Sequence, residues 1–124
     1  MIVRNLAEAK TVEWGNGLSR RFLTAADGMG YSLTDTIVNA GTKSRLEYRN
    51  HLEACYCISG EGEVIDMAGN SFPLREGTMY ALDQHDAHFL VAAPHTDLRL
   101  VCMFTPALRG DEVHSLDEAS SSAY

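Results

Sequence analysis

From Ser19 onward the chain is a succession of short apolar or alternating runs separated by turn signals. The turns are Asp27-Gly28, Ala40-Gly41, Ser59-Gly60, Ala68-Gly69-Asn70, Glu76-Gly77, Ala93-Pro94 and Arg109-Gly110. Between them lie runs at 20–24, 31–38, 46–50, 53–58, 62–67, 71–74, 78–82, 87–92 and 97–104. Short runs at this spacing predict strands of a sandwich or barrel. The expected fold is therefore all-β: one domain, a bent antiparallel barrel of jelly-roll type. A short helix is expected over residues 5–10, where Asn5 can cap the helix formers Leu6-Ala7-Glu8-Ala9.

Side chains alternate across a strand, so each run also says which residues share a face. His51, Glu53, Cys55 and Cys57 point one way, and Leu52, Ala54 and Tyr56 the other. Leu98, Leu100, Cys102 and Phe104 share a face, as do Thr78, Tyr80 and Leu82. Turning these faces inward gives an interior that is apolar at depth and polar near one mouth, as in a small enclosed ligand site.

Composition narrows the function classes. The 124 residues make one domain, with 45% hydrophobic and 22% charged residues. A net charge of −7 with scattered basic residues argues against nucleic acid as a partner. No apolar run approaches the length of a membrane span, and residues 1–10 lack the apolar core of a signal peptide. Three cysteines, an odd number with no CxxC, fit a reducing cytoplasm.

Candidate chemistry begins between Gly41 and Gly60, which has the spacing of the first metal-binding motif of a small β-barrel. Glu53 stands where such a barrel puts its carboxylate, but Glu47 and Arg49 occupy the usual histidine positions. Tyr80 and His88 can complete a triad with Glu53. A carboxylate, a phenolate and an imidazole suit a borderline-hard divalent ion, Fe(II) first and then Zn(II) or Mn(II). Three protein ligands leave positions open for chemistry. The same residues also read as a core carboxylate paired with an arginine, a strand-end histidine and a core aromatic. His85 lies three residues from His88 and reads as a loop residue; Asp86 either orients His88 or shapes the turn. Cys55 and Cys57, without a second pair, read as small buried hydrophobes. Glu112-Val-His114 reads as an exposed tail.

The strings Asn50-His-Leu-Glu-Ala54, Tyr56-Cys-Ile58 and Gly60-Glu-Gly-Glu63 carry a resemblance. So do Gly77-Thr-Met-Tyr-Ala-Leu-Asp83, His85, Asp86 and His88, and Asp97-Leu-Arg-Leu-Val-Cys102 with Phe104. Together with Met1–Leu6, 28–32 and Glu112-Val-His114, they resemble the ectoine synthases of the cupin superfamily over nearly the whole chain. The resemblance implies a jelly roll, a homodimer and an Fe(II) site at Glu53, Tyr80 and His88. It implies roles around a small-molecule substrate for Arg21, Thr36, Tyr48, His51, Cys102, Phe104, Glu112 and His114. It also implies a barrel at 19–108, a preceding segment at 1–18, and a tail at 109–124 that folds over the mouth. That reverses the reading of the Glu112–His114 segment. Some positions depart from the family pattern. The family's pocket tryptophan falls at Gly17, with Trp14 three residues earlier, and Thr34 and Asn39 stand in place of larger residues.

The implied reaction closes N4-acetyl-L-2,4-diaminobutyrate into ectoine with loss of water. Arg21 is expected to clamp the substrate carboxylate, and Glu112 and His114 to share proton transfer, with Tyr48 beside them. Other readings are a cyclase acting on another acylated diamino acid, a non-haem iron oxygenase and a non-catalytic binding cupin.

Overall fold

The structure, a computed structural model, describes residues 1–112. Ten strands form: β1 (Lys10–Glu13), β2 (Gly17–Leu23), β3 (Ser32–Val38), β4 (Lys43–Leu46) and β5 (Leu52–Ser59). They continue as β6 (Glu61–Asp66), β7 (Ser71–Arg75), β8 (Met79–Leu82), β9 (His88–Ala92) and β10 (Leu98–Thr105). One sheet has the order β1-β2-β3-β10-β5-β8, the other β4-β9-β6-β7, and every pairing is antiparallel. The two sheets face each other as a cupin jelly roll.

Alternation decides the layering. β10 buries Leu98, Leu100, Cys102 and Phe104, and β5 buries Glu53, Cys55 and Cys57, the inward sets expected from period two. β10 lies between β3 and β5, with Leu100 opposite Thr36 and Cys57, and Cys102 opposite Thr34 and Cys55. Leu46, Val64, Leu74 and Leu90 complete the core from the second sheet. On the outer face Asp35 binds Arg20 and Arg99 at 2.5 and 2.7 Å, tying β2, β3 and β10 together. Burial works against the Asp35 charge, but hydrogen bonds from the two arginines outweigh it and hold its pKa below the usual aspartate value.

Three expectations are corrected. In place of a helix over 5–10 there is a single 3-10 turn, Leu6–Glu8, because the chain enters β1 at Lys10 and leaves no room for a second turn. β1 itself, and the start of β2 at Gly17, fall inside the segment expected to precede the barrel. The run at 46–50 is not a strand: pairing with β9 ends at Leu46 opposite His88. Beyond it, His85 Nδ1 donates to the Tyr48 and His51 carbonyls at 2.8 and 3.2 Å, taking acceptors that a neighbouring strand would need.

Residues 106–112 form a strap across one end of the barrel. Leu108 is fully buried, its amide donating to Ser32 Oγ at 2.6 Å and its carbonyl accepting from the Ala25 amide, also at 2.6 Å.

At the opposite end, Gly60 makes the tight β5–β6 hairpin with φ 91°, and a Cβ there would meet the Asp97 carbonyl at 2.0 Å. Gly60→Ala combines a left-handed backbone with that collision. It is expected to lose at least about 2 kcal/mol in urea denaturation, whereas Gly69→Ala, with open space around it, should lose less.

Candidate metal and substrate site

The lumen between the sheets is lined by Trp14, Ser19, Thr36, Tyr48, Glu53, Cys55, Tyr80, Cys102 and Phe104, with Leu46, Leu90 and Leu100 at depth. Strand register brings the polar members together. Cys102, Cys55 and Tyr80 lie in one row across β10, β5 and β8, and Glu53 lies one inward step along β5, opposite Phe104 and Leu82. One ligand atom each from Glu53, Cys55 and Cys102 lies within 4.8 Å of the others. The space left is about 20 Å³, enough for one water or an ion.

No arginine pairs with Glu53. The thiols of Cys55 and Cys102 hydrogen-bond to its carboxyl, and Oε1 has no partner among the described residues. Burial pushes its pKa up to about 8, more than the two thiols can pull it down. Burial likewise raises the Cys55 thiol and the Tyr80 phenol well above their usual values.

His88 opens β9 and is 2% exposed. Its Nδ1 lies 2.9 Å from the Asp86 carbonyl. A carbonyl can only accept, so Nδ1 carries the proton and Nε2 presents a lone pair. That Nε2 is buried with no partner among the described residues, and burial lowers the ring's pKa. The His88 ring stands 6.3 Å from Tyr80 and 5.8 Å from Tyr48, edge-on to the latter. Asp86 thus orients His88 through its backbone, while its carboxylate accepts from the Gln84 amide and shapes the turn.

Glu53 Oε1, unpartnered and buried beside two thiols, and His88 Nε2, unpartnered and buried near Tyr80 and Tyr48, are donors that a divalent cation would satisfy. The residues fit a metal. Glu47 and Arg49, at the usual histidine positions, instead pair with each other at 3.4 Å outside the lumen, and Glu47 also lies 3.5 Å from Arg45.

The remaining candidates divide into two groups. Tyr48, Thr36, Cys102 and Phe104 line the lumen, with Tyr48 and Phe104 edge-on at 5.5 Å. His51 sits behind Phe104, at 6.3 Å between ring centroids, with Nδ1 donating to the Pro106 carbonyl at 2.7 Å. Arg21 and Glu112 meet each other behind the lumen wall. Arg21 donates to the Glu112 backbone carbonyl, lies 3.6 Å from its carboxylate, and reaches Ser19 Oγ at 3.2 Å. The Glu112 carboxylate also accepts from the Arg109 and Gly110 amides at 2.8 and 2.9 Å. Burial alone would raise its pKa, but these amides and the Arg21 charge hold it below the usual value. His114 lies outside the described residues.

Comparison with known proteins gives this arrangement its family. The family model described as ectoine synthase matches residues 1–123. The chain belongs to the ectoine synthase family. It is 54% identical over 108 residues to the L-ectoine synthase of Desulfatibacillum aliphaticivorans, covering 86% of this chain and 82% of that one. It is 50% identical over 101 residues to that of Wolinella succinogenes, covering 81% and 76%. The crystal structure of ectoine synthase from P. lautus superposes with a TM-score of 0.84 at 45% identity, covering 89% of this chain and 81% of that one.

Within the ectoine synthase fold, the tryptophan position that the sequence places at Gly17 is closed to any side chain: a Cβ there would lie 1.8 Å from the Ile37 carbonyl oxygen. Trp14 fills the lumen instead. It swings in from the β1–β2 turn, is 2% exposed, and its Nε1 donates to that same Ile37 carbonyl at 3.1 Å. Restoring a tryptophan at 17 is therefore not a route to a better pocket. Alternation put Cys55 on the inward face but as a small buried hydrophobe, and Ser19 is a lumen residue that sequence reading missed. The meeting of Cys55 with Cys102 is visible only once the strand register is known.

Two measurements test the site. Trp14 is the sole tryptophan, so its emission should be that of a buried indole and should change in intensity when metal enters the lumen; a Trp14→Phe protein provides the blank. In the metal-free protein, the folded state keeps the Glu53 proton up to about 8, while the unfolded chain gives it up near 4.5. The folded state thus binds more protons in that window, so stability falls as pH rises through it. Thermal midpoints measured from pH 5 to 8 should show this slope, and Glu53→Gln should flatten it.

Proposed function

We propose that this protein catalyses ring closure of N4-acetyl-L-2,4-diaminobutyrate to ectoine and water, a carbon–oxygen lyase reaction, with Fe(II) held by Glu53, Tyr80 and His88. Zn(II) and Mn(II) are the alternatives. The observation that carries the reading is the pair of unpartnered buried donors, Glu53 Oε1 and His88 Nε2, at the lumen of an ectoine synthase fold. Bound there, such an ion would supply Lewis-acid polarisation of the substrate's acetamide carbonyl.

The reaction joins the α-amine nitrogen to the acetamide carbon and expels the carbonyl oxygen as water. The barrel's own residues serve it in three ways. The aromatic walls Trp14, Tyr48 and Phe104 leave so little room that a substrate must displace side chains on entry and lie folded, with its nitrogen near its carbonyl carbon. They also exclude water from a step that releases it. Ser19 and Thr36 offer hydroxyls along the same wall, and Arg21 stands behind Ser19, where it can stabilise a substrate carboxylate through that hydroxyl.

Glu112 accepts from two amides and faces Arg21, so its carboxylate is a weak base, and we assign it the anchoring of the strap. Of the two residues expected to share proton transfer, we assign the work to His114, because an imidazole is the side chain suited to moving protons near neutral pH.

The outer face of the larger sheet suggests the assembly. Leu52, Tyr56, Met79 and Met103 are exposed on adjacent strands, with Tyr56 opposite Met79 and Met103 opposite Ala54. A second copy of the chain covering this apolar face makes the proposed homodimer. No helix among the described residues is long and apolar enough to cross a membrane. Three free, buried thiols suit the reducing cytoplasm we propose as its location.

An anaerobic NMR assay with Fe(II)-loaded protein and N4-acetyl-L-2,4-diaminobutyrate tests the reading. Ectoine resonances should appear, vanish on chelation, return on adding metal, and be absent with Glu53→Ala. Metal-loaded wild-type protein that leaves the substrate unchanged would overturn it.

A further inference from the structure

We propose that Cys55 and Cys102 form an oxidative modification site, in which a hydroperoxide small enough to enter the lumen joins them as a disulfide between β5 and β10. The site needs neither metal nor substrate, so it stands or falls separately from the reaction proposed above.

Register and burial single out this pair among the three thiols. Cys55 and Cys102 are directly opposite on antiparallel strands, and both point inward. Directly opposed residues of such strands have Cα atoms about 4.5 or 5.5 Å apart. Either spacing lies within the range of about 4.4–6.8 Å that a disulfide spans, so the backbone need not move. The sulfurs lie within 4.8 Å of each other and the two thiols are in hydrogen-bond contact, which leaves only side-chain rotation to close the gap. Cys57 has no such partner. It sits one inward step further along β5, opposite Leu100, and its thiol donates to the Ser59 carbonyl at 3.4 Å.

The lumen also limits what can oxidise them. Its free space, about 20 Å³ beside both residues, admits a molecule of about the size of water. Each of the two cysteines is 2% exposed, which keeps bulky oxidants out, whereas hydrogen peroxide can enter. One thiol sulfur attacks a peroxide oxygen, the O–O bond breaks, and a sulfenic acid and one water result. The second thiol then attacks the sulfenic sulfur: the S–S bond forms, the S–O bond breaks, and the hydroxyl leaves with the remaining thiol proton as a second water. The pair gives up two electrons and the peroxide accepts them. With the second sulfur already in contact, condensation outruns further oxidation to sulfinic acid. Burial holds the Cys55 thiol in its protonated form, and a protonated thiol reacts slowly, so the site answers a sustained oxidant load rather than a brief pulse. In the oxidised form the Glu53 carboxyl loses the hydrogen bonds that both thiols supply, and β10 is bonded covalently to β5.

The test exposes the full chain, reduced and metal-free under chelator, to hydrogen peroxide in native buffer. Free thiols, counted afterwards in denaturant, should fall from three to one. Trypsin should then release peptides 50–75 and 100–109 as one linked species, and fragmentation around Tyr56 should place the bond on Cys55 and not on Cys57. Dithiothreitol in denaturant should restore all three thiols. Cys57→Val should lose both of its remaining thiols, and Cys55→Val should form no link. Should either variant fail to fold, the wild-type peptide map decides alone. The proposal is overturned if the folded chain keeps three thiols under peroxide, if the link involves Cys57, or if oxygen accumulates on the cysteines without a link.

Discussion

A buried carboxyl without a counter-charge is the constraint around which this barrel is organised. Glu53 lies in an apolar lumen where no lysine or arginine reaches it, and an isolated charge in such surroundings is prohibitively costly. Two states relieve the cost: the carboxyl keeps its proton, or a cation joins it. The neighbours are compatible with both. Two thiols and a phenol lie beside a protonated acid, and a phenol next to a bound cation would give up its proton far more readily. The lumen is thus neutral when empty, and a divalent cation there would be balanced by the Glu53 carboxylate and one phenolate.

The arginines that could have neutralised Glu53 are committed elsewhere. Arg20 and Arg99 hold Asp35 on the outside of the sheet, where they link three strands without burying a net charge. Arg21 is buried, but it is turned toward Glu112 and the strap. That contact ties the 106–112 segment to β2, and Leu108 is held between Ala25 and Ser32. Catalytic pocket and closing strap therefore use separate acid groups, one raised in pKa by burial, the other lowered by amides and a guanidinium.

Most of this architecture was legible in the sequence because period-two alternation is a local property. The inward sets of β5 and β10 follow from residue order alone, and so does the grouping of Glu53 with Cys55. What depends on pairing was not legible. The strand at 43–46 was misplaced because its neighbour 47–51 is equally polar-apolar mixed, and only the His85 imidazole, on a distant loop, removes its carbonyls from pairing. The Cys55–Cys102 meeting depends on the register of two strands far apart in sequence. Trp14 was obscured for a different reason: a position-by-position comparison assumes equal backbone paths, while here a turn delivers the indole over a glycine whose own side-chain position is filled by the Ile37 carbonyl.

All three thiols of the chain are buried, each at most 2% exposed. A bulky sulfhydryl reagent can reach them only while the barrel is transiently open, so the rate of modification reports the opening equilibrium of the native state rather than the intrinsic reactivity of sulfur. The cysteines are in this sense a built-in clock for the breathing of the barrel, sensitive to anything that holds the sheets together.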